Sequence, residues 1–201
     1  MALANDDARY AELHAWSNCS FLQGGSHPEE LVERAAELGL TALALTDRDG
    51  LYGAVRFSAH ARRRGVAAII GSELTFEDGA RIVLLVEDER GYANLCRLIS
   101  TAQMRGSKGD ARLRMDDLEG GTAGLIALSG GPFGRVERAI ARDGREAAAR
   151  EARALNAIFE ERFYLELQQH LTVRETQRNV ELARLPWSAG NWKRVNGSHG
   201  A

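Results

Sequence analysis

The sequence predicts an α/β fold built from repeated strand–helix units, as in a β/α barrel. Two observations carry this. Short apolar runs of strand length alternate with longer stretches whose apolar residues recur at helical spacing. Three of those runs also end in a polar residue: Tyr10 to Leu13 ends in His14, Thr41 to Thr46 ends in Asp47, and Val66 to Ser72 ends in Glu73. In a barrel of such units the carboxyl ends of the strands share one rim, and chemistry sits there. One histidine and two carboxylates meeting on that rim would suit a divalent cation.

The elements follow in order. A first strand near Tyr10 to His14 leads into a turn-rich loop through Gly25. Ser26 reads as a helix N-cap, with Glu29 completing a capping box and Pro28 in the first turn. Leu31, Val32, Ala35 and Leu38 keep helical spacing, and Gly39 is a stop. After the strand to Thr46, a helix is predicted from Tyr52 to Arg64, then the strand into Glu73. Asp78-Gly79 lies between two apolar runs and signals a hairpin. A long helix is predicted over Asp88 to Met104. A short buried strand is expected at Leu125 to Leu128, then helices over 134–142 and 146–159. A strand at Phe163 to Leu167 and a helix over 173–185 complete the pattern.

The chain has 201 residues, enough for one domain with a real core. Charged residues make up 27% and the net charge is −2, which gives no dominant nucleic-acid-binding face. No apolar run reaches membrane-spanning length, and Met1 to Arg9 is polar with no apolar signal segment. The two cysteines, Cys19 and Cys96, are too few for a disulfide framework, so a reducing, cytoplasmic setting is expected. Arg62-Arg63-Arg64 suits the negative end of a helix. Arg105, Lys108, Arg112 and Arg114 form a basic stretch able to touch a phosphate backbone.

The same residues carry a family resemblance. Glu12-Leu13-His14-Ala15-Trp16-Ser17 through Leu22-Gln23-Gly24 resembles the opening motif of the polymerase and histidinol phosphatase (PHP) domain. Thr46-Asp47-Arg48 resembles its Thr-Asp-His segment, and Ile69-Ile70-Gly71-Ser72-Glu73 its Ile-Ile-Gly-x-Glu segment. Gly91 to Ile99, Gly124 to Gly130 and Phe163 to Gln168 are similar to stretches of the PHP domain of bacterial DNA polymerase III alpha subunits. Ser26-His27-Pro28-Glu29-Glu30-Leu31 is similar to the error-prone branch. The resemblance implies a distorted β/α barrel over residues 10–185, preceded by a polar extension (1–9) and followed by an aperiodic tail (186–201). It also implies that the barrel is incomplete at its C-terminal end, because the tail shows no strand carrying a late Asp and His.

The resemblance further implies a metal site of His14, Asp47 and Glu73, with His170 as a fourth ligand. That set departs from the family pattern. Trp16, Arg48 and Arg81 stand where the family places histidines, and Gly131 where several members carry a cysteine. Arginine cannot donate a lone pair, and tryptophan offers only an N–H. Arg48 is expected to pair with Asp47, and Glu73 with Arg48 or Arg81. His14 by itself also reads as a hydrogen-bonded histidine at a strand end. The expectation is therefore a vestigial site, with no tightly bound cofactor. Zinc, manganese or magnesium would be the ions if it were loaded. The implied function is that of the PHP module of an error-prone DNA polymerase III alpha-like protein, acting in DNA replication and translesion repair. It would be present as a fragment serving as a structural platform. Its partners would be the remainder of the polymerase and, through it, DNA, with no membrane. The other reading is a free-standing metal-dependent phosphoesterase of the histidinol phosphatase type.

Overall fold

A computed structural model describes residues 10–107, 109–168, 172–185 and 195–197. The first strands are β1 (Ala11–Ala15), β2 (Ala42–Leu45), β3 (Ala67–Thr75), β4 (Arg81–Val86), β5 (Leu125–Leu128) and β6 (Phe163–Tyr164). They form one sheet in chain order. β1, β2 and β3 pair in parallel, β4 is antiparallel to both β3 and β5, and β6 is parallel to β5. The predicted strand over 163–167 is thus split: β6 ends at Tyr164, and β7 (Glu166–Gln168) leaves the sheet to pair in parallel with β8 (Val195–Gly197). β8 falls inside the tail and carries neither an Asp nor a His. Its three residues, Val195-Asn196-Gly197, are too few to show a period of two. The described residues form an α/β half-barrel, with a curled six-stranded sheet and a two-stranded piece.

Seven α-helices lie among the described residues. They are α1 (Pro28–Glu37), α2 (Ala54–Arg64), α3 (Glu89–Arg105), α4 (Met115–Leu118), α5 (Arg135–Asp143), α6 (Arg145–Phe159) and α7 (Val173–Ala183). α1 starts one residue later than the capping box predicts. Pro28 is the first helical residue, so His27 is the N-cap, and Glu30 accepts from its backbone N–H at 2.7 Å. Glu29 is released to pair with Arg56 of α2. α2 ends as predicted, with Arg62, Arg63 and Arg64 in its last turn.

Alternation along the strands separates an outer and an inner layer. On β4, Ile82 and Leu84 pack with Leu95 and Leu98 of α3 and Leu155 and Phe159 of α6. Val83 and Leu85 face the other way and pack with Ala44 and Leu128. Val32, Leu43, Leu45 and Phe57 join β2 to α1 and α2. On β1 the usual order is inverted. Glu12 and His14 are buried, while Ala11, Leu13 and Ala15 are only half-buried. A polar inner face on β1 is what places a charged site inside the half-barrel. No helix among the described residues is long and apolar enough to cross a membrane.

Candidate functional site

Loop residues 17–24 close over the end of β2. Gly24 makes this possible, since a Cβ there would lie 2.1 Å from the Ser17 carbonyl oxygen. The closed loop delivers three donors to Asp47. The Ser17 N–H donates to Oδ1 at 2.8 Å, the Ser20 hydroxyl to Oδ1 at 2.7 Å, and the Ser17 hydroxyl to Oδ2 at 2.7 Å. Asp47 is buried, and these bonds replace its lost water. The Arg48 guanidinium does not pair with it, contrary to expectation. Arg48 Nε lies 3.7 Å from Asp49, whose carboxylate also accepts from the Thr75 N–H and hydroxyl at 2.8 Å each. Asp49 adopts a left-handed φ of 53°, which turns its side chain away from Asp47 toward β3.

His14, Glu73 and Glu166 meet inside the barrel. His14 Nδ1 is 2.7 Å from Glu166 Oε1, and Nε2 is 3.6 Å from Glu73 Oε1. Glu73 Oε2 in turn accepts from Arg81 Nη1 at 2.9 Å. Of the two cations foreseen for Glu73, the structure selects Arg81; Arg48 meets Glu73 only through a backbone bridge. The four groups run Glu166, His14, Glu73, Arg81 and alternate in sign once the imidazole is protonated. Burial alone would lower the His14 pKa, but the Glu166 and Glu73 carboxylates outweigh it and raise it to about 10. At neutral pH His14 is therefore an imidazolium with its protons directed at carboxylates.

The other substituted positions fill space around this line. The Trp16 ring stands edge-on to His14, with centroids 5.4 Å apart at 82°. Arg81 reaches Gln23 at 3.3 Å and lies 4.3 Å from the centre of the Phe133 ring. Gly131 has a φ of +52°, and a Cβ there would come within 2.8 Å of the Gln168 amide. That amide donates to Glu166 at 2.8 Å. His170 lies outside the described residues. Among those described, no three His, Cys, Asp or Glu side chains are disposed to hold one metal ion. The donors do not fit a metal cluster: Asp47 is taken by serines, Glu73 by an arginine, and Nδ1 of His14 by Glu166.

Glu166 and Gln168 are the site residues that sequence reasoning missed. Phe163 to Gln168 alternates apolar and polar, which ordinarily puts the polar set in solvent. The signal was the same inversion as on β1, two polar residues at i and i+2 on an inward-facing strand. The basic stretch carries less free charge than expected. Arg105 pairs with Asp117, Arg112 with Asp110 and Arg114 with Glu77, while Lys108 lies outside the described residues.

Comparison with known proteins agrees with this architecture. The family described as PHP domain matches residues 12–170. The chain belongs to the PHP domain family. Its sequence places this PHP domain with the error-prone branch. It is 41% identical over 182 residues to an error-prone DNA polymerase of Pseudomonas fluorescens, covering 87% of this chain and 16% of that protein. It is 46% identical over 160 residues to one from Anaeromyxobacter sp., covering 72% of this chain and 14% of that protein. The chain thus spans about a sixth of the length of the relatives it matches. Among solved structures it resembles an amidohydrolase from Chromobacterium violaceum, with a TM-score of 0.61 and 18% identity over 94% of this chain and 86% of that one. A candidate metal-dependent phosphoesterase from Bifidobacterium adolescentis gives a TM-score of 0.50 and 16% identity over 95% and 87%. These two likenesses concern the fold.

Proposed function

We propose that this PHP domain is a module of an error-prone DNA polymerase of the polymerase III alpha type. Its metal site is degenerate, and it serves replication and translesion repair as a structural platform for the rest of the polymerase. Nucleotide addition would belong to the remaining length of such a protein, and contact with DNA would come through it, in the cytoplasm. The observation that carries the platform reading is Arg81 bound to Glu73 at 2.9 Å. A guanidinium in that position holds a fixed positive charge where a cation would otherwise draw on the carboxylate. Trp16 against His14 supports it.

In the other reading, a metal-dependent phosphoesterase of the histidinol phosphatase type, zinc, manganese or magnesium would supply hydroxide and charge stabilisation. Its support is the likeness of fold to the Bifidobacterium protein. Incubating the chain with single-stranded DNA and with a phosphate monoester, in zinc or manganese, separates the two. The platform reading expects no turnover. Metal-dependent hydrolysis abolished by His14→Ala and by Asp47→Ala would overturn it.

A further inference from the structure

A cavity of about 690 Å³ opens where the turn Gly131–Phe133, α5, the start of α6 and α7 come together. It shares no lining residue with the His14–Glu73 cluster, and its size suits a small molecule. Four arginines and three glutamates line it. Arg145 is paired with Glu181, and Glu175 accepts from the Thr172 N–H in the cap of α7, which leaves its negative charge in place. Arg138, Arg142 and Arg178 also line the cavity, and none has a carboxylate at ion-pair distance among the described residues. Arg138 donates to the Asp78 carbonyl at 3.1 Å and Arg178 to the Gln168 carbonyl at 3.4 Å, which leaves most of each guanidinium fork available.

The one deeply buried acid on the wall does not cancel this charge. Glu137 is 3% exposed. Its Oε1 accepts from the Ser129 hydroxyl at 2.9 Å, and its Oε2 has no hydrogen-bond partner. Burial pushes its carboxyl up to about 8, so near neutral pH it keeps its proton and is itself a donor. The Nε of Arg178 is likewise buried without a partner. Arg138, Arg142 and Arg178 therefore exceed in charge the remaining ionised acid on the wall, Glu175, and face one space with a neutral Glu137 and with Pro132, Ile140 and Ala141 beside them. Guanidinium forks match the oxygens of a phosphate, and a dianion answers several of them at once.

We propose that this cavity binds a small organic phosphate monoester, its phosphate held by Arg138, Arg142 and Arg178 and its body resting on Pro132, Ile140 and Ala141. The site is independent of the platform reading, and either can fail alone.

The test titrates the 201-residue chain with deoxyadenosine monophosphate and follows binding by calorimetry and amide shifts. Deoxyadenosine, inorganic phosphate and an oligonucleotide without a terminal phosphate are run beside it. Saturable binding of the monophosphate is expected, with weaker binding of inorganic phosphate and none of deoxyadenosine. Arg142→Ala and Arg178→Ala should each weaken it by about ten-fold or more, as loss of a charged contact does. Arg142 is exposed, so its removal leaves the fold intact. Absence of saturable binding, equal binding of deoxyadenosine, or unchanged affinity in a folded Arg142→Ala protein overturns the proposal. So does equal binding of the oligonucleotide, which would mark a nucleic-acid surface instead.

Discussion

Arg81 Nη1 sits 2.9 Å from Oε2 of Glu73, a carboxylate with no solvent exposure. β4 supplies the arginine and β3 the glutamate, from antiparallel neighbours in which Glu73 lies opposite Val83, two residues beyond Arg81. The pair ends the line Glu166–His14–Glu73–Arg81, and breaking it would leave a buried negative charge beside His14.

Arg81→Ala should therefore be strongly destabilising, by about 3–5 kcal/mol, the usual cost of removing one partner of a buried ion pair. Replacing both members, as in Arg81→Met with Glu73→Leu, should cost much less than Arg81→Ala alone. Denaturant melts of the two variants measure the difference. Equal losses would mean that the pair is not coupled.

Asp47 is held by three hydrogen bonds from Ser17 and Ser20, so its supports should matter singly. Ser20→Ala removes the 2.7 Å bond to Oδ1 and also an acceptor for the Arg48 N–H. A loss of about 1.5–3 kcal/mol is expected for a bond to a charged group. Arg48→Ala should cost much less, because Arg48 is partly exposed and 3.7 Å from Asp49, whose carboxylate keeps its two hydrogen bonds from Thr75.

Glu137 gives a pH signature. Its folded pKa, raised to about 8 chiefly by burial, exceeds its ordinary value of 4.5. The folded state therefore holds a proton that the unfolded chain releases between those values. The contribution of this group to stability should fall as pH rises from about 4.5 to about 8 and level off above that range. At about 1.4 kcal/mol per unit the total is on the order of a few kcal/mol. Glu137→Gln should flatten this part of the stability profile. A profile in which the variant and the parent chain remain parallel would contradict the assignment.

Much of the fold was readable because the elements obey simple periods. The hairpin at Asp78-Gly79, strand Leu125–Leu128 and the helices after it fall where apolar spacing put them. The site was readable only at its strand ends. His14 and Glu73 lie within β1 and β3 and Asp47 just after β2, yet Asp47 turns to Ser17 and Ser20, which belong to a loop whose path no spacing reveals. Glu166 was hidden because alternation on β7 looks like that of a half-solvated strand, whereas both of its polar residues are buried. Adjacency in sequence also misled: Arg48 follows Asp47 but reaches Asp49, since the left-handed turn at Asp49 redirects its carboxylate.

Restoring the family's ligands should not be a matter of single changes. Trp16→His, Arg48→His and Arg81→His together replace two fixed charges and a bulky ring with donors. Together they should raise metal uptake, whereas Arg81→His alone should not. Gly131→Cys should instead destabilise the chain, because its φ of +52° and the Gln168 amide leave no room for a Cβ. Metal-dependent thermal shifts of the single, triple and Cys variants provide the comparison.

Metal content tests the central claim most directly. The chain should be purified without chelator, dialysed against zinc and manganese, and measured by elemental analysis together with Glu73→Ala. The account predicts well under one ion per chain, with no change in the variant. Two or more ions per chain, lost in Glu73→Ala, would contradict it and return the site to metal-dependent hydrolysis.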